Sequence, residues 1–170
     1  MKPGTQDLGY RLREGTHNFM NQRRIAASLT LLGMTSLGVI ALYQLGILKN
    51  LPEPSLRILN AEKVNGSATA YCILNTPDAV LGLGSYAATL GLTAMGAGNR
   101  AEAQPWVPLA LAAKASLDTW QALKLTRASW VNYRAFSLYS LVTVITTLLT
   151  LPSVMPEAWA ARRKIIDIFC

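Results

Sequence analysis

Three stretches of this chain carry no charged side chain for about twenty residues or more: 25–48, 79–99 and 135–156. An α-helix of about 20 apolar residues crosses a hydrocarbon core of about 30 Å, so each run is long enough to span a membrane. A fourth run, 106–123, is nearly as long and is charged only at Lys114 and Asp118. Charged residues make up 15% of the chain, against about 25% in a typical soluble domain. The expected fold class is all-α: a polytopic membrane protein built as a four-transmembrane-helix bundle, with spans at about 25–48, 79–98, 106–123 and 135–151. The last of these is rich in β-branched residues ("LVTVITTLLT"), but its length suits a helix rather than a strand.

The remaining segments follow from that frame. Residues 1–24 read as a basic polar N-terminal tail and 25–156 as the bundle. Residues 157–170 read as an amphipathic C-terminal tail lying on the membrane surface. Loop 49–78 falls on the opposite side from the termini; its prolines and Asn65-Gly66 mark turns. Within it, "PSLRIL" suits a short interfacial helix. Nothing resembling a signal-cleavage site follows the first run, which is therefore expected to stay as a span.

The formal net charge is +7, yet nucleic acid is not the expected partner, because the basic residues flank apolar runs instead of forming a patch among aromatics. Arg23, Arg24, Arg100, Lys124, Arg127 and Arg134 take such positions and read as lipid-surface anchors. Nine Lys and Arg lie on the termini's side and six on the other. The positive-inside rule then favours both termini in the cytoplasm, in a bacterial inner membrane. Trp106, Trp120, Trp130 and Trp159 suit an interfacial belt.

Small residues recur every four positions along the second run: Gly84 and Ala88; Ala87 and Gly91; Ser85, Thr89, Thr93 and Ala97. Such rows let helices approach closely in lipid, where packing replaces hydrophobic expulsion from water. Lys114 and Asp118, four apart in the third run, face the same way on a helix and can pair. The pair reads either as a structural lock between helices or as a ligand or proton site facing the bundle interior. Tyr86, Gln44 and Gln121 are further polar groups that would join its network. Cys72 and Cys170 are too few and too far apart for a disulfide framework. His17 is the sole histidine, and neither a metal-ligand cluster nor a catalytic set is evident.

"CILNTPDAVLGLGSY" opens the second run after a long first loop. With four expected spans around it, the segment resembles the vitamin K epoxide reductase family through Ile73, Leu74, Asn75, Gly82 and Tyr86. The resemblance covers about residues 25–155. In that family a Cys-x-x-Cys near the start of the fourth span exchanges electrons with a quinone, and some bacterial relatives set it in Trp-Cys-Gly-Tyr-Cys. Here the segment is "WVNYR": Trp130 and Tyr133 match, while Val131 and Arg134 stand where the cysteines would be. Thiol–disulfide exchange needs an attacking thiolate and a resolving thiol, and neither valine nor a permanently charged arginine supplies one.

The resemblance therefore implies a bundle that has lost its redox centre. It also implies that Asn75 matches a position that hydrogen-bonds the quinone. The expected function is a non-catalytic accessory subunit of a membrane protein complex, in contact with the lipid bilayer and other membrane subunits. One alternative is a quinone-linked thiol oxidoreductase that uses Cys72 with a partner's thiol. Another is a quinone- or lipid-binding or small transport protein that uses Lys114 and Asp118; the candidate ligand-binding residues are Asn75, Tyr86, Lys114 and Asp118. No residue is assigned a catalytic role; a bound quinone or lipid is the candidate cofactor.

Overall fold

The computed structural model describes residues 13, 15, 17–54, 58–71 and 75–169. Among them every regular element is helical, and strand-like pairing is limited to a single parallel bridge between Leu59 and Phe136. Four helices are long: α1 (Met20–Gln44), α3 (Asp78–Ala94), α5 (Trp106–Tyr133) and α6 (Leu138–Phe169). Two are short: α2 (Ala61–Asn65), in the first loop with a 3-10 turn at Ala68–Tyr71, and α4 (Arg100–Ala103), between α3 and α5. The helices α1 and α6 are long and apolar enough to cross a membrane.

The long helices pack in the cyclic order α1, α3, α5, α6, and the α3–α5 seam is the least closely packed. On α1 the buried stripe runs through Met20, Arg23, Ala26, Thr30, Gly33, Leu37, Ile40 and Gln44. Those steps of three and four residues define one face of a helix that is apolar nearly all round. Ala26 meets Leu111, Ala112 and Ala115 of α5 and Val154 and Ala158 of α6 in one core cluster. Leu37, Ile40 and Ala41 pack with Ala79 in a second.

Helix boundaries differ from the sequence expectation, for identifiable reasons. Helix α1 stops at Gln44 because Gly46 adopts φ 76°, a left-handed turn that glycine tolerates and that ends a helix. Helix α5 runs through Lys124 and Arg127 to Tyr133, since long basic side chains can extend outward from a helix without interrupting it. Helix α6 does not end at Pro152; it continues through Pro152 and Pro156 to Phe169. Each proline forfeits one backbone hydrogen bond, but Val154, Glu157, Ala158 and Ala161 are all buried beyond the first of them and hold the helix in register. The stretch expected as a separate surface tail from residue 157 onward is thus a continuation of α6 as far as Phe169.

In the loop, Ser55–Arg57 lie outside the described residues, and Ile58–Asn60 form no helix. They pair instead with the chain before α6: Asn60 N donates to Phe136 O (2.8 Å) and Phe136 N to Ile58 O (2.9 Å). Glu53 closes this latch, its two carboxylate oxygens accepting from Ala61 N and Leu138 N.

Arg23 and Arg100 also depart from expectation. They are not lipid-surface anchors but buried caps, 6% and 1% exposed. The carbonyls of the last turn of α3 have no partner within the helix. Arg23 donates to Thr93 O (3.1 Å), Ala94 O (3.2 Å) and Ala97 O (3.1 Å). Arg100 donates to Leu92 O (2.8 Å), Thr93 O (3.0 Å) and Met95 O (2.7 Å). The other edge of the Arg100 guanidinium makes a bidentate pair with Glu157 of α6, at 2.7 and 2.6 Å. Removing one partner from such a pair leaves a buried charge uncompensated. Arg100→Ala is expected to cost about 3–5 kcal/mol, and Arg100→Met with Glu157→Leu clearly less, by denaturant titration in detergent micelles.

Candidate functional site

A cavity of about 390 Å³ lies between the first loop, α1, α3, α6 and the second half of α5. Its apolar walls include Leu37, Ile40, Leu81, Leu125, Leu141 and Val144. Its polar groups come from four directions: Asn65 and Asp78 at the loop end, Tyr86 and Asp118 at the seam, Gln121, Asn132 and Tyr133 along α5, and Ser137, Ser140, Thr143 and Thr147 along α6 and just before it. The loop end is built around Gln44. Its amide nitrogen donates to Asp78 Oδ1 (2.7 Å) and Asn65 O (3.1 Å), and its oxygen accepts from Ala79 N (3.2 Å). One buried glutamine thus ties α1 to α2 and to the start of α3.

At the seam, Lys114 and Asp118 pair as their spacing predicts, with Nζ 2.6 Å from Oδ1. The partners that join them are on α3. Ser85 Oγ accepts from Lys114 (2.7 Å) and donates to Asp118 Oδ1 (3.0 Å), while Thr89 Oγ1 donates to Asp118 Oδ2 (3.2 Å). Two i,i+4 pairs on facing helices therefore interlock, and every charged atom has a neighbour of complementary character. Asp118 lines the main cavity and also a small adjoining one of about 10 Å³.

The other expected members of this network go elsewhere. Gln44 belongs to the loop-end cluster, and Gln121 lines the cavity without a bond to the pair. Tyr86 turns to α6, where its hydroxyl donates to Thr143 O (2.9 Å) and contacts the hydroxyls of Thr146 and Thr147. Its ring is seated against Gly33 of α1: a Cβ there would collide with Tyr86 Cε1 and come within 2.8 Å of Thr146 Oγ1. Asn75 is exposed, at φ 53°, and is not among the cavity's lining residues. Cys72, with Ile73 and Leu74, lies outside the described residues, as does Cys170. No group of three or more His, Cys, Asp or Glu is placed to hold a metal ion among the described residues.

A sequence profile described as the vitamin K epoxide reductase family matches residues 24–155, most of the chain. The chain belongs to the vitamin K epoxide reductase family. No curated protein and no solved structure matches it. Family and helix composition together point to a membrane protein.

In this family member the "WVNYR" segment forms the last turn of α5 and its cap. Arg134 takes φ 51°, and its backbone N–H closes the helix on Trp130 O (3.1 Å). Its guanidinium lies 5.6 Å from the Trp130 ring centre, a cation–π contact, and Trp130 stacks on Phe136 at 5.3 Å. Val131 is 62% exposed. Asn132 and Tyr133, between Val131 and Arg134, line the cavity. The segment thus abuts the cavity, and Arg134 caps and braces the helix end.

Sequence reading missed Ser85, Thr89, Asn65 and Gln44's true role. Ser85 and Thr89 were visible only as small residues, although their spacing of four matches that of Lys114 and Asp118. Asp118→Ala is expected to lower stability by about 2 kcal/mol by stranding Lys114, and Lys114→Met with Asp118→Leu by less, in the same micellar titration. Gly33→Ala should cost about 1–3 kcal/mol through overpacking against Tyr86.

Proposed function

We propose that this chain is a four-span membrane protein that binds a small, mainly apolar ligand of the quinone or lipid class in the cavity beside α5, without thiol redox chemistry at the "WVNYR" segment. The observation that carries the reading is the cavity itself. Its volume of about 390 Å³ falls within the range of small-molecule sites, about 300–1,000 Å³. Apolar walls with a few polar groups suit a ligand with a hydrocarbon body and one or two polar atoms. Val131 and Arg134 supply no thiol next to it. In this reading α3 and α5 cross the membrane beside α1 and α6, with the Lys114–Asp118 pair satisfied by α3. Both termini face the cytoplasm, as the balance of basic residues favours.

A second reading, an accessory subunit docked in a larger membrane complex, is favoured by the outer face of α3. There a Cβ on Gly84 or Gly91 would meet nothing within 4 Å, leaving room for another helix to approach.

The test is extraction of the whole protein in a mild detergent, followed by mass spectrometry of its organic-solvent extract. The proposal expects close to one quinone or lipid molecule per chain, retained in Cys72→Ser. A ligand-free protein recovered only with stoichiometric membrane subunits would favour the accessory reading. Loss of the ligand in Cys72→Ser would bring thiol chemistry back.

A further inference from the structure

Among the described residues two buried side-chain atoms lack a hydrogen-bond partner, Asn65 Nδ2 and Thr119 Oγ1, and of these residues only Asn65 lines the main cavity. Asn65 ends α2 and is 6% exposed. The rest of its polar capacity is committed. Its Oδ1 accepts from Ser140 Oγ (3.3 Å), and its backbone oxygen accepts from Gln44 (3.1 Å). Both contacts come from long helices, so the amide group is fixed before any ligand arrives. A buried donor without an acceptor costs free energy in the empty protein, and that cost is recovered when an acceptor is supplied.

We infer that Asn65 is the specificity-determining residue of the cavity: its Nδ2 donates to a carbonyl oxygen on the bound molecule and selects acceptor-bearing ligands over hydrocarbons of equal size. The inference rests on the ligand-binding reading above. The chemistry is shared by a quinone carbonyl and by the ester carbonyl of a lipid. Asp78 does not do the same work, because a carboxylate accepts hydrogen bonds and has no proton to donate to a carbonyl, and its Oδ1 already accepts from Gln44. The ligand's hydrocarbon body would lie towards Leu81, Leu125 and Leu141, where the walls are apolar.

The full chain in detergent micelles is titrated calorimetrically with three probes: a benzoquinone bearing one isoprenyl unit, an alkyl methyl ester, and an alkylbenzene of matched size. Wild type should prefer one or both carbonyl probes over the alkylbenzene by about tenfold. Asn65→Leu should erase that preference and bind the alkylbenzene unchanged. Which carbonyl probe gains more identifies the source as quinone or lipid ester, and either result upholds the role of Asn65. The alkylbenzene also reports a folded cavity; if Asn65→Leu does not bind it, Asn65→Ser, smaller and with a shorter reach, is used with the same expected order. Equal binding of all three probes in wild type, or a preference that survives the substitution, overturns the inference and leaves the cavity as a ligand site. No binding of any probe to wild type overturns the ligand-binding reading itself.

Discussion

The end of α3 is the constraint on which much of this architecture rests. A helix end leaves four carbonyls without partners, and at this one the side chains that turn to them, Arg23 and Arg100, are themselves buried. Two arginines from different elements meet that demand, Arg23 from α1 and Arg100 from α4, and Glu157 of α6 balances the second. Each bond crosses between elements, so the cap also sets where α3 sits relative to α1 and α6. So α3 is held at that end by charge and at the other by Gln44 and Asp78. Its middle meets α5 directly, through Ser85 and Thr89 on Lys114 and Asp118, and the cavity opens beyond that cluster, between the Asp78 end of α3 and the second half of α5.

The same economy of polar groups runs through the interior. Thr30, Thr93, Thr147 and Thr150 return their hydroxyl protons to backbone oxygens one turn earlier in their own helices. That leaves their side chains satisfied in apolar surroundings and adds no demand on neighbouring helices. Tyr86 bridges instead, tying α3 to α6 across the close approach allowed by Gly33, as Ser85 and Thr89 tie α3 to α5 and Ser36 ties α1 to α6. Against this background the unpartnered Nδ2 of Asn65 stands out, with Thr119 Oγ1 the other such atom among the described residues. It sits where the loop meets the cavity, held by contacts that Gln44 and Ser140 make for reasons of packing.

Family membership and helical character were legible in the sequence because both depend on local runs: uncharged stretches of helix length, and the segment around Ile73 to Tyr86. The Lys114–Asp118 pairing was legible for the same reason, since four residues on one helix fix the geometry. What escaped was every relation between elements. Arg23 and Arg100 flank apolar runs just as surface anchors do, and nothing near them in sequence shows that they turn inward to cap α3. Glu157 opens what reads as an amphipathic tail, where Pro152 and Pro156 suit a break, yet burial beyond the prolines holds α6 together. Asn75 is marked by the resemblance alone, and Asn65-Gly66 reads as a turn; only the three-dimensional placement of α2 puts Asn65 at the cavity.

The central claim, that the cavity is a binding site recognising a carbonyl at Asn65, is most directly tested by an experimental map of the protein extracted gently from its own membrane. The bound molecule is expected as non-protein density between Leu81, Leu125 and Leu141, with one atom within about 3.2 Å of Asn65 Nδ2. A cavity closed by inward movement of α5, with Asn65 Nδ2 bonded to another residue of the chain, would contradict it.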